Sequence, residues 1–337
     1  MTVLEAVNLR VVYHTAEGPL QAVDDVSFQV EGHDIFGIAG ESGSGKSTLM
    51  KLLLRLLPVT AEVSADRLRY RGHDLLAMDD RSFRRQILWK EISLVPQTAQ
   101  NALNPVYRVG DQIMEAIQAH STMSRRAARL RVAELFDIVG LEDRLAESYP
   151  HQFSGGMRQR AMIAMSLALD PGLIIMDEPT TGLDVLTQER ILRNLRQMHA
   201  KMRSAIILVT HDIAVIAELC SHVGIMYAGR LVEQGPVRAM FQAPFHPYTL
   251  GLKNAFPDIR EMDRKLISIP GSPPHLAPGA RSCSFAARCP FVLPECRDAR
   301  PRMQDVEAGH QVACTRAGEA EELRRLARER ETWRSSM

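Results

Sequence analysis

The sequence predicts an α/β fold, with a small irregular domain at its C-terminal end. Three observations lead there. Strand-sized apolar runs alternate with segments of helical periodicity, the pattern of a sheet with helices packed on it. One of those runs feeds directly into a glycine-rich turn and then a leucine-rich helical segment. Beyond Pro244 the composition shifts: Pro257, Pro270, Pro273, Pro274 and Pro278 gather just ahead of four closely spaced cysteines.

In chain order, strands are expected over residues 4–13, 22–30 and 34–39. A helix follows over 47–57, stopped by Pro58. Ala, Arg and Glu at helical periods over 102–149 predict a helical insert. A second α/β stretch begins with a helix after Ser154 and a buried strand over 173–176. It continues with a helix over 185–201 and a strand over 205–209. The proline-rich stretch reads as a linker. The charged segment 319–330 reads as a helical, solvated tail.

Bulk properties narrow the class. The chain has 337 residues, 45% hydrophobic and 24% charged, which is ordinary for a globular protein with one large core and an appendage. A formal net charge of +1 gives no reason to expect nucleic acid as a partner. No apolar run reaches the 18 or so residues of a membrane span, and residues 1–10 carry no secretory signal pattern. Any membrane role is therefore expected to run through separate subunits. Without an export signal, the cysteines read as metal ligands rather than a disulfide framework.

Gly40-Glu41-Ser42-Gly43-Ser44-Gly45-Lys46-Ser47, followed by Thr48, fits G-x-x-x-x-G-K-[ST] without a mismatch. Glycines let backbone N–H groups turn inward on phosphate oxygens, and the next helix aims its N-terminus at the same charge. Lys46 would reach the β- and γ-phosphates of ATP and the Ser47 hydroxyl would ligate Mg²⁺. The motif on its own specifies a nucleotide binder.

Leu173-Ile174-Ile175-Met176-Asp177-Glu178 is an apolar strand ending in two acids. Asp177 is the candidate Mg²⁺ ligand, direct or through water, and Glu178 the base that polarises the attacking water. The competing structural role is a turn acid, because Pro179-Thr180-Thr181-Gly182 follows at once; the two roles are compatible.

Phe153-Ser154-Gly155-Gly156-Met157-Arg158-Gln159-Arg160, between the phosphate loop and the Asp177-Glu178 strand, resembles the signature segment of ATP-binding-cassette (ABC) proteins. That segment usually reads Leu-Ser-Gly-Gly-Gln; Phe153 and Met157 depart from it, and the Ser-Gly-Gly core is intact. The resemblance implies a P-loop NTPase nucleotide-binding domain with a helical signature subdomain over about 98–160. It further implies that Ser154, Gly155 and Gly156 close on ATP held by a partner subunit. Gln97 resembles the loop glutamine that touches Mg²⁺, Asp184 the aspartate that crosses the dimer interface, and His211 the switch histidine at the γ-phosphate. Tyr13 is the candidate ring for adenine stacking, with core packing as its other reading. Taken singly, Gln97 and His211 have structural readings too; the order of all these residues over about 1–255 carries the resemblance.

His246-Pro247-Tyr248-Thr249, Pro270-Gly271-Ser272-Pro273-Pro274 and the cysteines resemble the C-terminal extension of oligopeptide, dipeptide and nickel importer ATPases. This divides the chain into a nucleotide-binding domain, 1–257, and an extension, 258–337. The pattern Cys283-x5-Cys289-x6-Cys296-x17-Cys314 lacks the tight C-x2-4-C pairs usual for structural Zn²⁺. Wider spacing suits a larger cluster, and the resemblance implies [4Fe–4S]; Zn²⁺ and free thiols are the alternatives. Four thiolates would staple a stretch too small for its own core. Cys220 reads as a small core residue.

The resemblance thus implies an ATPase subunit of an importer for di- or oligopeptides, peripheral on the cytoplasmic face of the inner membrane. Its partners would be a second, related ATPase (Met157 suggests a heterodimer, with a homodimer as the alternative), two permease subunits and an extracytoplasmic solute-binding protein. Nickel or another solute is the alternative cargo. A soluble cassette ATPase acting on nucleic acid or ribosomes is the rival class, and a non-catalytic nucleotide sensor a third reading, opposed by the complete set Lys46, Gln97, Asp177, Glu178 and His211.

Overall fold

A computed structural model describes residues 1–97, 102–181, 184–255, 267–274 and 278–334. The chain divides into two compact units. One comprises Met1–Leu4, Val30–Ile35 and Arg69–Val209; the other comprises Glu5–Gln29, Phe36–Leu68 and Thr210–Met337. The boundary expected at 257/258 and the start of the helical subdomain at 98 fall outside the described residues.

The first unit is organised by three parallel strands. Ile92–Val95 pairs with Leu173–Asp177 in the register Ile92↔Leu173, and Leu173–Asp177 pairs with Ala205–Thr210 in the register Leu173↔Ala205. Every residue of Leu173–Asp177 is buried, which is why the strand reads as an unbroken apolar run rather than an alternation. The Ile206 N–H extends the ladder to the Asp34 carbonyl at 2.8 Å. The helical insert is built from Val109–His120 and Arg125–Ile138, followed by Gly155–Ser166. Val109, Ile113 and Ile117 in the first, with Ala128, Val132, Leu135 and Phe136 in the second, form the buried stripes. Ser124 caps the second helix by accepting from the Ala127 N–H.

In the second unit, residues 36–39 of the strand Ile35–Ala39 run parallel to His222–Tyr227, from Phe36↔His222 to Ala39↔Ile225. His222–Tyr227 turns back antiparallel into Arg230–Pro236. Arg230–Pro236 takes His310–Val312 as its next neighbour, and Gln304–Glu307 closes that edge. The C-terminal hairpin therefore continues the sheet that carries the phosphate loop. Residues 10–13 pair with Ala61–Ser64 in a separate antiparallel ladder.

Two expectations are corrected. The helix after the phosphate loop ends at Leu53 rather than 57: Arg55 takes φ 52° and the Leu56 N–H closes back on the Lys51 carbonyl, so the chain turns before Pro58. The C-terminal segment is not a solvated tail. Ala320 and Leu323 of the helix Ala320–Leu326 are buried, as are Ala327 and Trp333. The Ala327 carbonyl accepts from Asn254 Nδ2 at 2.6 Å and from the Trp333 indole N–H at 3.0 Å. Charge dominates the composition of this segment, but Ala320, Leu323 and Ala327 at helical spacing supply a narrow apolar stripe, and Trp333 anchors it. Cys220, just past the helix Ile213–Leu219, packs its sulfur over Gly37, and burial pushes its thiol well up.

Candidate nucleotide-binding and hydrolysis site

The phosphate loop sits where the strand Ile35–Ala39 ends and the helix Lys46–Leu53 begins. Two glycines are sterically compelled. At Gly40, φ is 155° and an added Cβ would lie 2.1 Å from the Met226 carbonyl oxygen; at Gly45, φ is 102° and a Cβ would lie 2.3 Å from the Ala22 carbonyl oxygen. The loop is tied down by the Gly229 N–H on the Ser44 carbonyl and by the Ser44 N–H on the Glu41 carbonyl. Lys46 is buried, and its ammonium lies inside the loop, donating to the Gly40 and Glu41 carbonyls at 2.8 Å each and to Ser44 Oγ at 3.3 Å. Ser47 and Thr48 follow on the first helical turn. Tyr13 is half-buried, and its hydroxyl lies 3.4 Å from Thr48 Oγ1, so the ring stands over the start of the helix.

In the other unit, Asp177 is the last residue of its strand and is buried. Glu178 extends the ladder by donating its N–H to the Val209 carbonyl at 2.8 Å, then turns to φ 45°, a left-handed conformation uncommon for a side-chain-bearing residue. That turn swings its carboxylate out of the strand, where Oε2 accepts from Gln97 Nε2 at 2.7 Å and from Thr181 Oγ1 at 2.9 Å. Gln97 and Glu178, 81 residues apart, are thus brought together. Thr181 was missed; its signal was only a second hydroxyl residue in the turn after the acid.

Ser154 is exposed and caps the helix Gly155–Ser166 by accepting from the Met157 N–H at 3.3 Å, with Gly155 and Gly156 half-exposed behind it. Arg158 braces the turn by donating to the Phe153 carbonyl. Asp184 caps Val185–Lys201, accepting from the Thr187 N–H at 3.0 Å and hydroxyl at 2.7 Å, and these hydrogen bonds hold its carboxyl below the usual range. His211 is exposed, immediately after the strand Ala205–Thr210.

All four clustered cysteines line one small cavity, together with His246, Phe285 and Phe291. None forms a disulfide. The Cys283 N–H donates to the Cys296 carbonyl at 2.8 Å, joining two of the cysteine turns. Burial pushes up the thiols of Cys283, Cys289 and Cys314, the last to about 12; mutual proximity of the sulfurs pushes the same way. Among the described residues, no group of three or more His, Cys, Asp or Glu side chains is disposed to hold a metal ion. The metal-bearing character expected of the C-terminal domain is therefore not shown among the described residues.

Behind the phosphate loop lies a set of contacts that sequence reasoning did not find. Arg288, adjacent to Cys289, donates to both carboxylate oxygens of Glu41, at 2.9 and 3.2 Å. The Tyr248 hydroxyl accepts the Glu41 N–H at 2.9 Å. Phe285, Tyr227 and Tyr248 form an aromatic cluster with ring centroids 4.6–5.4 Å apart. His246 is buried, which depresses its pKa to about 3 and keeps it neutral; Nδ1 accepts from the Tyr248 N–H at 3.0 Å, so Nε2 carries the proton. Glu233, fully buried, accepts from the Phe245 N–H, the His246 N–H and His310 Nε2. No short sequence motif announced these pairs, whose members lie up to 247 residues apart.

No described helix is long and apolar enough to cross a membrane. Residues 23–181 match the ABC transporter family and residues 232–296 match the oligopeptide/dipeptide transporter C-terminal region. The chain is 38% identical to the dipeptide transport ATP-binding protein DppD of Escherichia coli K12, covering 93% of this chain and 96% of that one. It is 41% identical to the oligopeptide transport ATP-binding protein OppD of Mycobacterium tuberculosis, covering 93% of this chain and 52% of that one. Among solved structures, the dimeric post-hydrolysis state of the ATP-binding cassette MJ0796 with ADP and Pi aligns at a TM-score of 0.59 and 27% identity, over 70% of this chain and 99% of that one. The cassette cbiO1 of Clostridium perfringens aligns at 0.63 and 25% identity, over 72% and 91%.

Proposed function

We propose the following role for this chain, which belongs to the ABC transporter family and is an ATPase: it energises uptake of di- or oligopeptides through membrane permease subunits, working on their cytoplasmic face as one of a pair of cassettes. Similarity over nearly the whole chain to a dipeptide transport ATP-binding protein, its C-terminal region included, is the observation that carries the cargo class.

The chemistry follows from the side chains. Backbone amides of residues 40–48 and the Lys46 ammonium neutralise the triphosphate, while Tyr13 supplies a face for adenine. Ser47, Gln97 and Asp177 offer the oxygen ligands a hard cation such as Mg²⁺ requires. Glu178 polarises the attacking water; the Gln97 amide and Thr181 hydroxyl, both donating to its carboxylate, orient it for that task. His211 meets the γ-phosphate. The exposed Ser154-Gly155-Gly156 turn and Asp184 serve the partner cassette's nucleotide, and ATP-driven closure of the pair does the mechanical work. Because Met157 departs from the usual signature glutamine, the partner is a related but distinct ATPase.

The four-cysteine cavity is the ligand set of a [4Fe–4S] cluster. A zinc ion needs four sulfurs about 2.3 Å from one point. That the four cysteines line one cavity supports reading them as one ligand set, and their wide spacing along the chain suits a cubane larger than a single ion. When bound, the cluster supplies four iron–thiolate bonds as a structural cross-link. Cys283, Cys289, Cys296 and Cys314 would hold it, while Phe285 and Phe291 shield it from water.

The test is co-purification of the chain with its partners, followed by ATPase assay with peptide and binding protein. Glu178→Gln is expected to lower turnover by about 10²-fold or more while MgATP binding persists. Unchanged turnover, or stimulation by nickel chelates and not by peptides, would refute the corresponding part.

A further inference from the structure

We propose that Arg288 is a positioning residue for nucleotide binding: through Glu41 it fixes the start of the phosphate loop, so that the cysteine-bearing segment sets the affinity for MgATP. The inference rests on the reading of residues 40–48 as the nucleotide site.

The geometry is specific. Glu41 is the second residue of the loop, and both ends of it are held from the C-terminal region. Its carboxylate takes a two-pronged guanidinium contact from Arg288, and its N–H is spent on the Tyr248 hydroxyl. Paired contacts of this kind fix orientation as well as position, which a lysine ammonium does not. Arg288 has little freedom to drift. Its Nε donates to the Pro270 carbonyl at 2.8 Å, Nη2 reaches the Ile269 carbonyl and Nη1 the Tyr227 hydroxyl, both at 3.3 Å. Only 7% of its side chain is exposed, against 26% for Glu41.

The consequence for nucleotide runs through the Glu41 peptide. The Glu41 carbonyl accepts from the Lys46 ammonium at 2.8 Å and from the Ser44 N–H. Rotation of that peptide would shift the lysine meant for the triphosphate and the amides around it. Gly40 next door tolerates a left-handed φ and offers no resistance of its own. The ion pair and the tyrosine therefore supply the stiffness that glycine removes. Arg288 immediately precedes Cys289, and Phe285, two residues beyond Cys283, packs on Tyr248. The local fold of the cysteine segment thus determines where the guanidinium stands.

A double-mutant cycle on the full chain with its co-purified partners tests this, reading the MgATP dissociation constant and the ATPase KM and kcat. Arg288→Met and Glu41→Gln are each expected to weaken MgATP binding about tenfold, about 1.4 kcal/mol. The double variant should be no worse than either single one, and in Arg288→Met kcat at saturating ATP should stay unchanged. Arg288→Lys, which keeps charge but loses the fork, should fall between. Wild-type affinity in Glu41→Gln, or an additive hundredfold loss in the double variant, would overturn the inference. Glu41→Gln leaves the cysteine segment untouched, so the test stands even where Arg288→Met folds poorly. Failure of the unsubstituted protein to bind MgATP would overturn the nucleotide reading itself, and this inference with it.

Discussion

Replacing Glu233 by glutamine should destabilise the second unit by about 1–3 kcal/mol, because an amide cannot serve all the donors that the carboxylate serves. Oε1 of Glu233 accepts from the Phe245 N–H at 2.8 Å and from His310 Nε2 at 2.8 Å; Oε2 accepts from the His246 N–H at 3.0 Å. Both side chains of the Glu233–His310 pair are fully buried, so water cannot substitute. Glutamine must direct its NH₂ at one side. Facing His246 it orphans that N–H; facing Phe245 it orphans another and meets His310 as well. Either choice leaves at least one buried donor opposite a donor, and an unmade hydrogen bond at a buried group carries its full desolvation cost. Glu233→Ala removes all three acceptor contacts and should cost more, about 3–5 kcal/mol. Urea unfolding followed by fluorescence of Trp333, in a background where Trp89 is replaced by phenylalanine, would measure both. A shift in Glu233→Gln equivalent to less than about 0.5 kcal/mol, the range of ordinary surface substitutions, would refute the reasoning.

Three further outcomes rest on other parts of the structure. Gly45→Ala places a methyl 2.3 Å from the Ala22 carbonyl at φ 102°, so it should abolish MgATP binding in an equilibrium titration while the chain still folds. Trp333→Ala, which empties a 2%-exposed site and removes a hydrogen bond to the Ala327 carbonyl, should destabilise by about 3–5 kcal/mol in chemical denaturation, where a solvated tail would show no change. Cys289→Ser should lower iron per chain and bleach visible absorption in protein purified without oxygen; zinc in place of iron in the unsubstituted protein would instead favour the single-ion alternative.

Much of the nucleotide chemistry was legible because it is written in short segments. The phosphate loop needs glycines at fixed offsets from a lysine, and a short run such as Leu173-Ile174-Ile175-Met176 suits a strand buried on both faces, which is what it forms. Glu178 was singled out by its place at a strand end and Gln97 by the family resemblance, and their side chains meet at 2.7 Å. The tail was misread because charge dominates its composition, while three small or aliphatic residues and one tryptophan decide where it lies. The helix after the loop was drawn too long because Pro58 was a visible stop, whereas the left-handed turn at Arg55 has no residue signal. Arg288 stood beside a cysteine and was passed over, since nothing in its neighbourhood points 247 residues back to Glu41.

Local steric and electronic needs were determined by the sequence alone: which backbone must turn on phosphate, which strand must be buried, which acids end it. What the tertiary structure decided is how distant segments serve one another. It set His310–Val312 as a strand beside Arg230–Pro236, closed Glu233 under three donors, and brought the guanidinium of Arg288 onto the phosphate loop. The division has a physical cause. Backbone conformation and burial leave period and residue-type signatures within a few residues, whereas a buried ion pair is defined by a distance in space that no spacing along the chain encodes.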